Sequence, residues 1–181
     1  MKFEVIHSEI MYRGRAFDVR RDEVRLPNGN TTLLDIVEHT GAITIIPLDE
    51  AGQIWFVRQY RHASGLMLLE LPAGTLETGE DPLHGARREI REETGMAAAH
   101  MQLIGEFFLA PGYSTEYMYV YLATGLSEAP LAQDEDEFLS LEKIPAKQAF
   151  EMLGTGEFHD AKTLVGLFLA QAYLDQHFKL E

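Results

Sequence analysis

The chain has 181 residues, 46% of them hydrophobic, and a formal net charge of −14 at neutral pH, which suits one well-buried domain with a small extension. The absence of cysteine excludes disulfides, thiolate nucleophiles and cysteine-ligated zinc. The acidic balance argues against a nucleic-acid partner, whose duplex needs phosphate-neutralising Lys and Arg. No run of about 18 apolar residues occurs, so no membrane span is expected. The opening stretch MKFEVIHSEIMYRGR is charged throughout and lacks an apolar core of signal-peptide length, which fits a cytoplasmic setting.

Taken in order, Phe3 to Met11 and Phe17 to Leu26 alternate apolar and polar residues as strands do. Pro27-Asn28-Gly29-Asn30 is a strong turn, so Phe17–Leu26 and Thr31–His39 should form a hairpin. Gly41 to Leu48 is a continuous apolar run of the kind buried on both faces of a sheet. Asp49-Glu50-Ala51-Gly52 turns the chain and Gln53 to Tyr60 pairs back, with Arg58, Arg61 and His62 close behind. Met67 to Gly74 then leads into the most informative stretch.

That stretch, GTLETGEDPLHGARREIREETGM, runs from Gly74 to Met96. Asp81 is a good N-cap, Pro82 suits the first helical turn and Gly95 is a good stop. Leu83, Ala86 and Ile90 make a core-facing stripe. Glu89 and Glu93 are an i, i+4 pair with Glu92 beside them, so three carboxylates crowd the flank away from the stripe. Such pairs cost a few tenths of a kcal/mol each, roughly, unless something positive sits there. A hard divalent cation would reverse the sign; a solvated face paired with Arg87, Arg88 and Arg91 is the alternative.

Beyond it, His100 to Leu109 and Tyr117 to Ala123 read as strands flanking the turn Ala110-Pro111-Gly112-Tyr113-Ser114-Thr115-Glu116. Ala132 to Glu137 is an acidic loop before the strand Phe138–Leu141. A short helix spans Ala146–Leu153. Asp160 caps a last helix from Ala161 to about His177, with Leu164, Leu167, Phe168 and Tyr173 as expected core contacts. GTGEFH lacks the strand–helix context and third glycine of a dinucleotide fingerprint, and the seven histidines form no ligand-spaced pair.

Gly74, five residues, Glu80, seven residues, then Arg-Glu-Ile-Arg-Glu-Glu-Thr-Gly-Met matches the signature box of the Nudix hydrolases at every defining position. The chain resembles that family, and Gln59-Tyr60-Arg61, the ELPAG at Glu70–Gly74 and Pro111 are similar to its ADP-ribose pyrophosphatase branch. The resemblance implies a three-layer α/β/α fold with a mixed sheet. An N-terminal antiparallel β extension over 1–39 would serve homodimerisation, ahead of a hydrolase domain over 40–181. It implies Mg²⁺ or Mn²⁺ held by Glu89, Glu92, Glu93 and the Ala73 carbonyl, with Arg88 orienting the carboxylates and Glu80 fixing the loop or a peripheral metal. Glu135 or Glu137 is the implied general base. Arg61, Asp35, Gly112, Tyr113 and Ser114 are the implied substrate contacts, and Glu70 either supports the loop or is a structural ion-pair partner. Leu34-Asp35 stands where branch members often carry an Arg-Glu pair, so Leu34 departs from the pattern. The implied reaction cleaves the diphosphate of ADP-ribose, giving AMP and ribose 5-phosphate, or that of a related nucleotide sugar such as GDP-mannose. A non-hydrolysing nucleotide sensor, an isomerase or a decapping enzyme on the same fold are alternatives; the intact box favours hydrolysis and the missing basic patch counts against decapping.

Overall fold

A computed structural model describes residues 1–132 and 138–178. Ten strands and three helices follow in chain order among the described residues. They divide into two compact units: Met1–Gly41 with Phe108–Tyr117, and Ala42–Phe107 with the chain from Met118 onward.

The first unit is built on an antiparallel sheet of β1 (Glu4–Arg13), β2 (Asp18–Arg25) and β3 (Thr31–Glu38), in that order. The expected hairpin forms in register, with Asp18 opposite Glu38 and Arg25 opposite Thr31. Its turn closes because Gly29 takes a left-handed φ of 88° and donates its N–H to the Leu26 carbonyl at 2.9 Å. Period-two alternation places Asp22 and Val24 on a buried face. There Ser8 donates to Asp22 at 2.6 Å and Arg20 pairs with the same carboxylate at 2.9 Å. The segment 110–115 adds to the end of β3: Val37 donates to the Tyr113 carbonyl at 2.8 Å and Thr115 donates to the Val37 carbonyl at 2.9 Å.

The second unit has β4 (Ala42–Pro47) at its centre, buried along its whole length. It lies parallel to β9 (Tyr117–Glu128) and antiparallel to β7 (Ala73–Thr75), in a mixed sheet ordered β7-β4-β9-β8 with β8 spanning Met96–Phe108. Alternate residues of β4 serve two layers. Ile43 and Ile45 pack with Ala86 and Ile90 of α1 (Pro82–Thr94). Ile46 packs on the other face with Leu167, Ala170 and Leu174 of α3 (Ala161–Phe178). That second layer also holds α2 (Ala146–Met152) and a sheet ordered β10-β5-β6, from Leu139–Pro145, Gln53–Arg61 and Leu66–Glu70. The result is a three-layer α/β/α arrangement. No helix is long and apolar enough to cross a membrane among the described residues.

Two local expectations need correction. The strand expected from His100 begins at Met96, because Gly95 takes φ 72° and reverses the chain straight out of α1. The run Ala97-Ala98-Ala99 has little β propensity and gives no sign of this. In α3, Leu167 is a core residue and Leu164 and Tyr173 pack against the core as expected, and Leu174 joins it, but Phe168 is 59% exposed. One residue is 100° of helical rotation, enough to carry Phe168 off a stripe set by Leu164, Leu167, Ala170 and Leu174. Leu167→Ala should therefore destabilise the protein by about 2–5 kcal/mol. Phe168→Ala should stay within about 1 kcal/mol. Chemical denaturation of the two variants measures both.

Candidate active site

The site is built where the chain leaves one sheet of the second unit for another. β6 pairs with β5 as far as Glu70, and β7 begins pairing with β4 at Ala73. Leu71 and Pro72 bridge the gap, and backbone groups freed there find partners from other elements. The Leu71 N–H donates to Thr163 Oγ1 at 2.9 Å. The Pro72 carbonyl accepts from the Ile45 N–H at 2.8 Å and from Thr44 Oγ1 at 3.2 Å. The Ala73 N–H donates to Glu93 Oε2 at 2.9 Å. Proline suits its position because no strand requires an N–H there.

Helix α1 stands across this crossing. Asp81 Oδ1 accepts from the N–H groups of Leu83 and His84 at 3.0 and 3.1 Å, and Pro82 opens the first turn. Its stripe of Ala86 and Ile90 is buried, as the spacing predicts. Glu89 and Glu93 are buried as well, which a solvated acidic face would not be. The Glu89 carboxylate lies against Gly74, in space that a Cβ there would occupy. Glycine is thus required at residue 74 by close approach, with no positive φ involved.

Arg88 organises the acidic flank. Its Nη1 donates to Glu89 at 2.6 Å and to Glu92 at 2.9 Å, while Nε and Nη2 reach Glu80 at 3.2 and 3.1 Å. Hydrogen bonds to Glu80, together with the Glu89 and Glu80 charges, outweigh burial and push the guanidinium above its ordinary range. Glu80 in turn is held below the usual carboxylate range, first by its bond from Arg88. It also accepts the Glu77 N–H at 3.0 Å, which ties down the loop before α1. Arg91 points elsewhere and donates to the Ala129 carbonyl at 2.8 Å.

Glu70 is 1% exposed and takes a bidentate grip from Arg61, with Nε at 2.9 Å and Nη2 at 2.7 Å. Lys162, 92 residues away, bonds to the same carboxylate. Burial would raise the Glu70 pKa, but the two cations prevail and hold it below its ordinary value. Arg61 is raised by its hydrogen bond to Glu70 and also feels the Glu93 charge. The structure thus brings Arg61, Ala73, Arg88, Glu89, Glu92 and Glu93 together in the second unit. Sequence reasoning missed Lys162 and Thr163, for which local spacing offers no signal.

The remaining candidates lie in the first unit or outside the described residues. Asp35 pairs with Arg21 at 2.7 and 3.1 Å on the first unit's sheet, and Leu34 beside it is 44% exposed. Gly112 has open space around its Cα, Tyr113 is exposed, and Ser114 is buried with its Oγ accepting the Glu116 N–H at 3.1 Å. Glu135 and Glu137 lie outside the described residues. The residues flanking them, Leu131 and Leu139, line a cavity of about 550 Å³ together with Glu92, Glu93, Pro130 and Leu141.

Among the described residues no three acidic or histidine side chains already stand clustered as a metal-binding group. The donor chemistry nonetheless fits a hard divalent cation, being carboxylate and backbone oxygen throughout. Arg88 bridging Glu89 and Glu92 shows that these carboxylates can share one cation. Gly74→Ala should displace the Glu89 carboxylate and cut turnover by at least about tenfold. The thermal midpoint should fall little, because the atom struck is the end of a flexible side chain. In acid, Glu70 should be a weak point. Its depressed pKa contributes stability above the unfolded value that is lost as pH falls, from about pH 5 downward. Glu70→Gln should therefore be less stable at neutral pH and flatter in its acid unfolding profile.

The NUDIX domain model matches residues 38–165, and a nucleoside diphosphate sugar hydrolase N-terminal domain model matches residues 3–33. An ADP-ribose pyrophosphatase of Mycobacterium tuberculosis is 40% identical over 173 residues, covering 94% of this chain and 84% of that protein. One from Bacillus subtilis is 36% identical over 162 residues, covering 88% of each. A solved structure described as an ADP compounds hydrolase superposes with a TM-score of 0.88 over 99% of this chain and 98% of its own, at 24% identity, a likeness of fold. With the Glu89 carboxylate seated against Gly74, Glu93 accepting the Ala73 N–H and a domain model spanning most of its length, the chain belongs to the Nudix family.

Proposed function

We propose that the chain hydrolyses the diphosphate of ADP-ribose to AMP and ribose 5-phosphate. The observation that carries this is the α1 flank, where Glu89 and Glu93 are buried against Gly74 and Ala73 with Arg88 among them. The ADP-ribose substrate is supported by the names of the two bacterial relatives, each matched over most of its length.

Glu89, Glu92, Glu93 and the Ala73 carbonyl would hold Mg²⁺ or Mn²⁺, which when bound supplies positive charge to the diphosphate and acidifies water. Arg88 keeps Glu89 and Glu92 in one orientation through charge-assisted hydrogen bonds. Glu93 also fixes the crossing strand by accepting the Ala73 N–H. Arg61 binds the anionic substrate through the part of its guanidinium that Glu70 leaves uncovered. Asp35, Gly112, Tyr113 and Ser114 are assigned to the substrate as well. Glu135 or Glu137, outside the described residues, takes the proton of the attacking water.

Residues 1–39 are assigned to a homodimer contact and 40–181 to the hydrolase. Exposed Val5 and Leu33 on the first sheet, with Phe3 just ahead of it, support the former. The cysteine-free, acidic chain suits the cytoplasm and no nucleic-acid partner. Leu34, standing where the branch often has arginine, favours GDP-mannose as the second substrate to test.

With Mg²⁺, kcat/KM for ADP-ribose should exceed that for GDP-mannose by about tenfold or more, and excess EDTA should abolish turnover. Faster GDP-mannose cleavage would reassign the substrate, and tight binding without turnover would make the chain a sensor. Glu93→Gln should lower kcat at least about 10²-fold with little loss of stability. Near wild-type activity would remove Glu93 from the site.

A further inference from the structure

Behind Arg61 runs a chain of charged groups that the reaction itself does not call for. Glu70 Oε2 accepts from Arg61 Nη2 and also from Lys162 Nζ. Lys162 reaches Asp160 Oδ2 at 2.9 Å. Asp160 caps α3 by accepting the Thr163 N–H at 3.0 Å and its hydroxyl at 2.6 Å. Thr163, fully buried, accepts the Leu71 N–H in turn. The first turn of α3 is thereby pinned to the strand that enters the box.

Exposure ranks the three central groups. The side chain of Glu70 is 1% exposed and that of Lys162 12%, while that of Arg61 is 41%. The network is a buried relay with Arg61 as its solvent-facing end. Lys162 is too enclosed to be a substrate contact, so any influence it has passes through Glu70.

We propose that Lys162 is a positioning residue for Arg61, sharing the Glu70 carboxylate so that the guanidinium is held in place yet keeps enough positive charge to bind an anionic substrate. This rests on Arg61 being a substrate contact, as proposed above. An isolated bidentate Arg–Glu pair is electrically neutral, and an arriving phosphate would compete with the carboxylate for the same cation. A second cation on the shared oxygen divides the carboxylate's charge. Asp160 draws on Lys162 too, but its own charge is offset by two Thr163 donors and by the positive end of α3. Arg61 keeps its remaining N–H groups, since Glu70 engages only Nε and Nη2.

The test is steady-state kinetics with ADP-ribose and Mg²⁺ on Lys162→Met, Lys162→Arg, Arg61→Met and the double variant, with thermal unfolding of each. Lys162→Met should raise KM about tenfold and leave kcat within about threefold, the pattern of lost uniform binding. Lys162→Arg should restore most of the KM. In the Arg61→Met background, removing Lys162 should raise KM less than about twofold further, because coupled residues are not additive. If Arg61→Met raises KM but Lys162→Met does not, the positioning role fails and the proposed function stands. If Arg61→Met itself leaves KM unchanged, the assignment of Arg61 to substrate falls and takes this role with it. Should Lys162→Met not fold, Lys162→Gln serves in its place. Unfolding of both would make Lys162 a structural residue and overturn the proposal.

Discussion

Three carboxylates withdrawn from water, on Glu70, Glu89 and Glu93, set the terms for the second unit. An ionised carboxylate buried without partners costs several kcal/mol, roughly, so each must be supplied with donors or cations. Glu70 receives Arg61 and Lys162, Glu89 receives Arg88, and Glu93 receives the Ala73 N–H. These partners come from β5, α3, α1 itself and β7, so satisfying three side chains ties β6 to β5 and α3, and α1 to β7. Replacing the set with apolar residues would pack as well and be no less stable in principle. Its retention is explained by a use for negative charge at this place.

The crossing Leu71–Gly74 carries that requirement into the backbone. A chain passing from one sheet to another must leave strand pairing for a residue or two, and buried N–H and C=O groups then need other partners. Here Thr163, Ile45, Thr44 and Glu93 provide them. Proline removes one donor from the problem and glycine makes room for the Glu89 carboxylate. The position of Glu93 and the path of the strand are consequently set by one hydrogen bond, which serves folding and site together.

Much of this was legible in the sequence because it is local. Helix α1 has its cap, its first-turn proline, its stripe and its glycine stop within 15 residues, and all four appear as spaced. The β2–β3 turn and the buried β4 run are equally local. The burial of Glu89 and Glu93 was not legible, since a charge-rich flank reads the same whether it faces solvent or Gly74. Nor was the Lys162–Glu70 pair, whose members sit 92 residues apart with no periodicity linking them. Phe168 misled for a related reason: α3 is apolar nearly all round, and hydrophobicity alone cannot say which side meets the core. Propensity failed at Ala97–Ala99, where pairing with β9 decides the conformation.

Charge is what makes this site demanding. Around it Glu70, Glu80, Glu89, Glu92, Glu93 and Asp160 face Arg61, Arg88 and Lys162, in a protein already at −14. Two like charges 4 Å apart near a protein surface repel by about 4 kcal/mol. A diphosphate approaching such a cluster is opposed at each step unless positive charge is interposed. The side-chain cations cannot meet that need alone, because Arg88 is already shared among three carboxylates and Lys162 is enclosed. Arg61 is the partly exposed exception, and it is weighed down by Glu70. Under the proposed function, a divalent cation and the lysine behind the arginine would be two answers to one electrostatic problem. The first would supply charge at the diphosphate, and the second would keep the arginine from being neutralised by its own support.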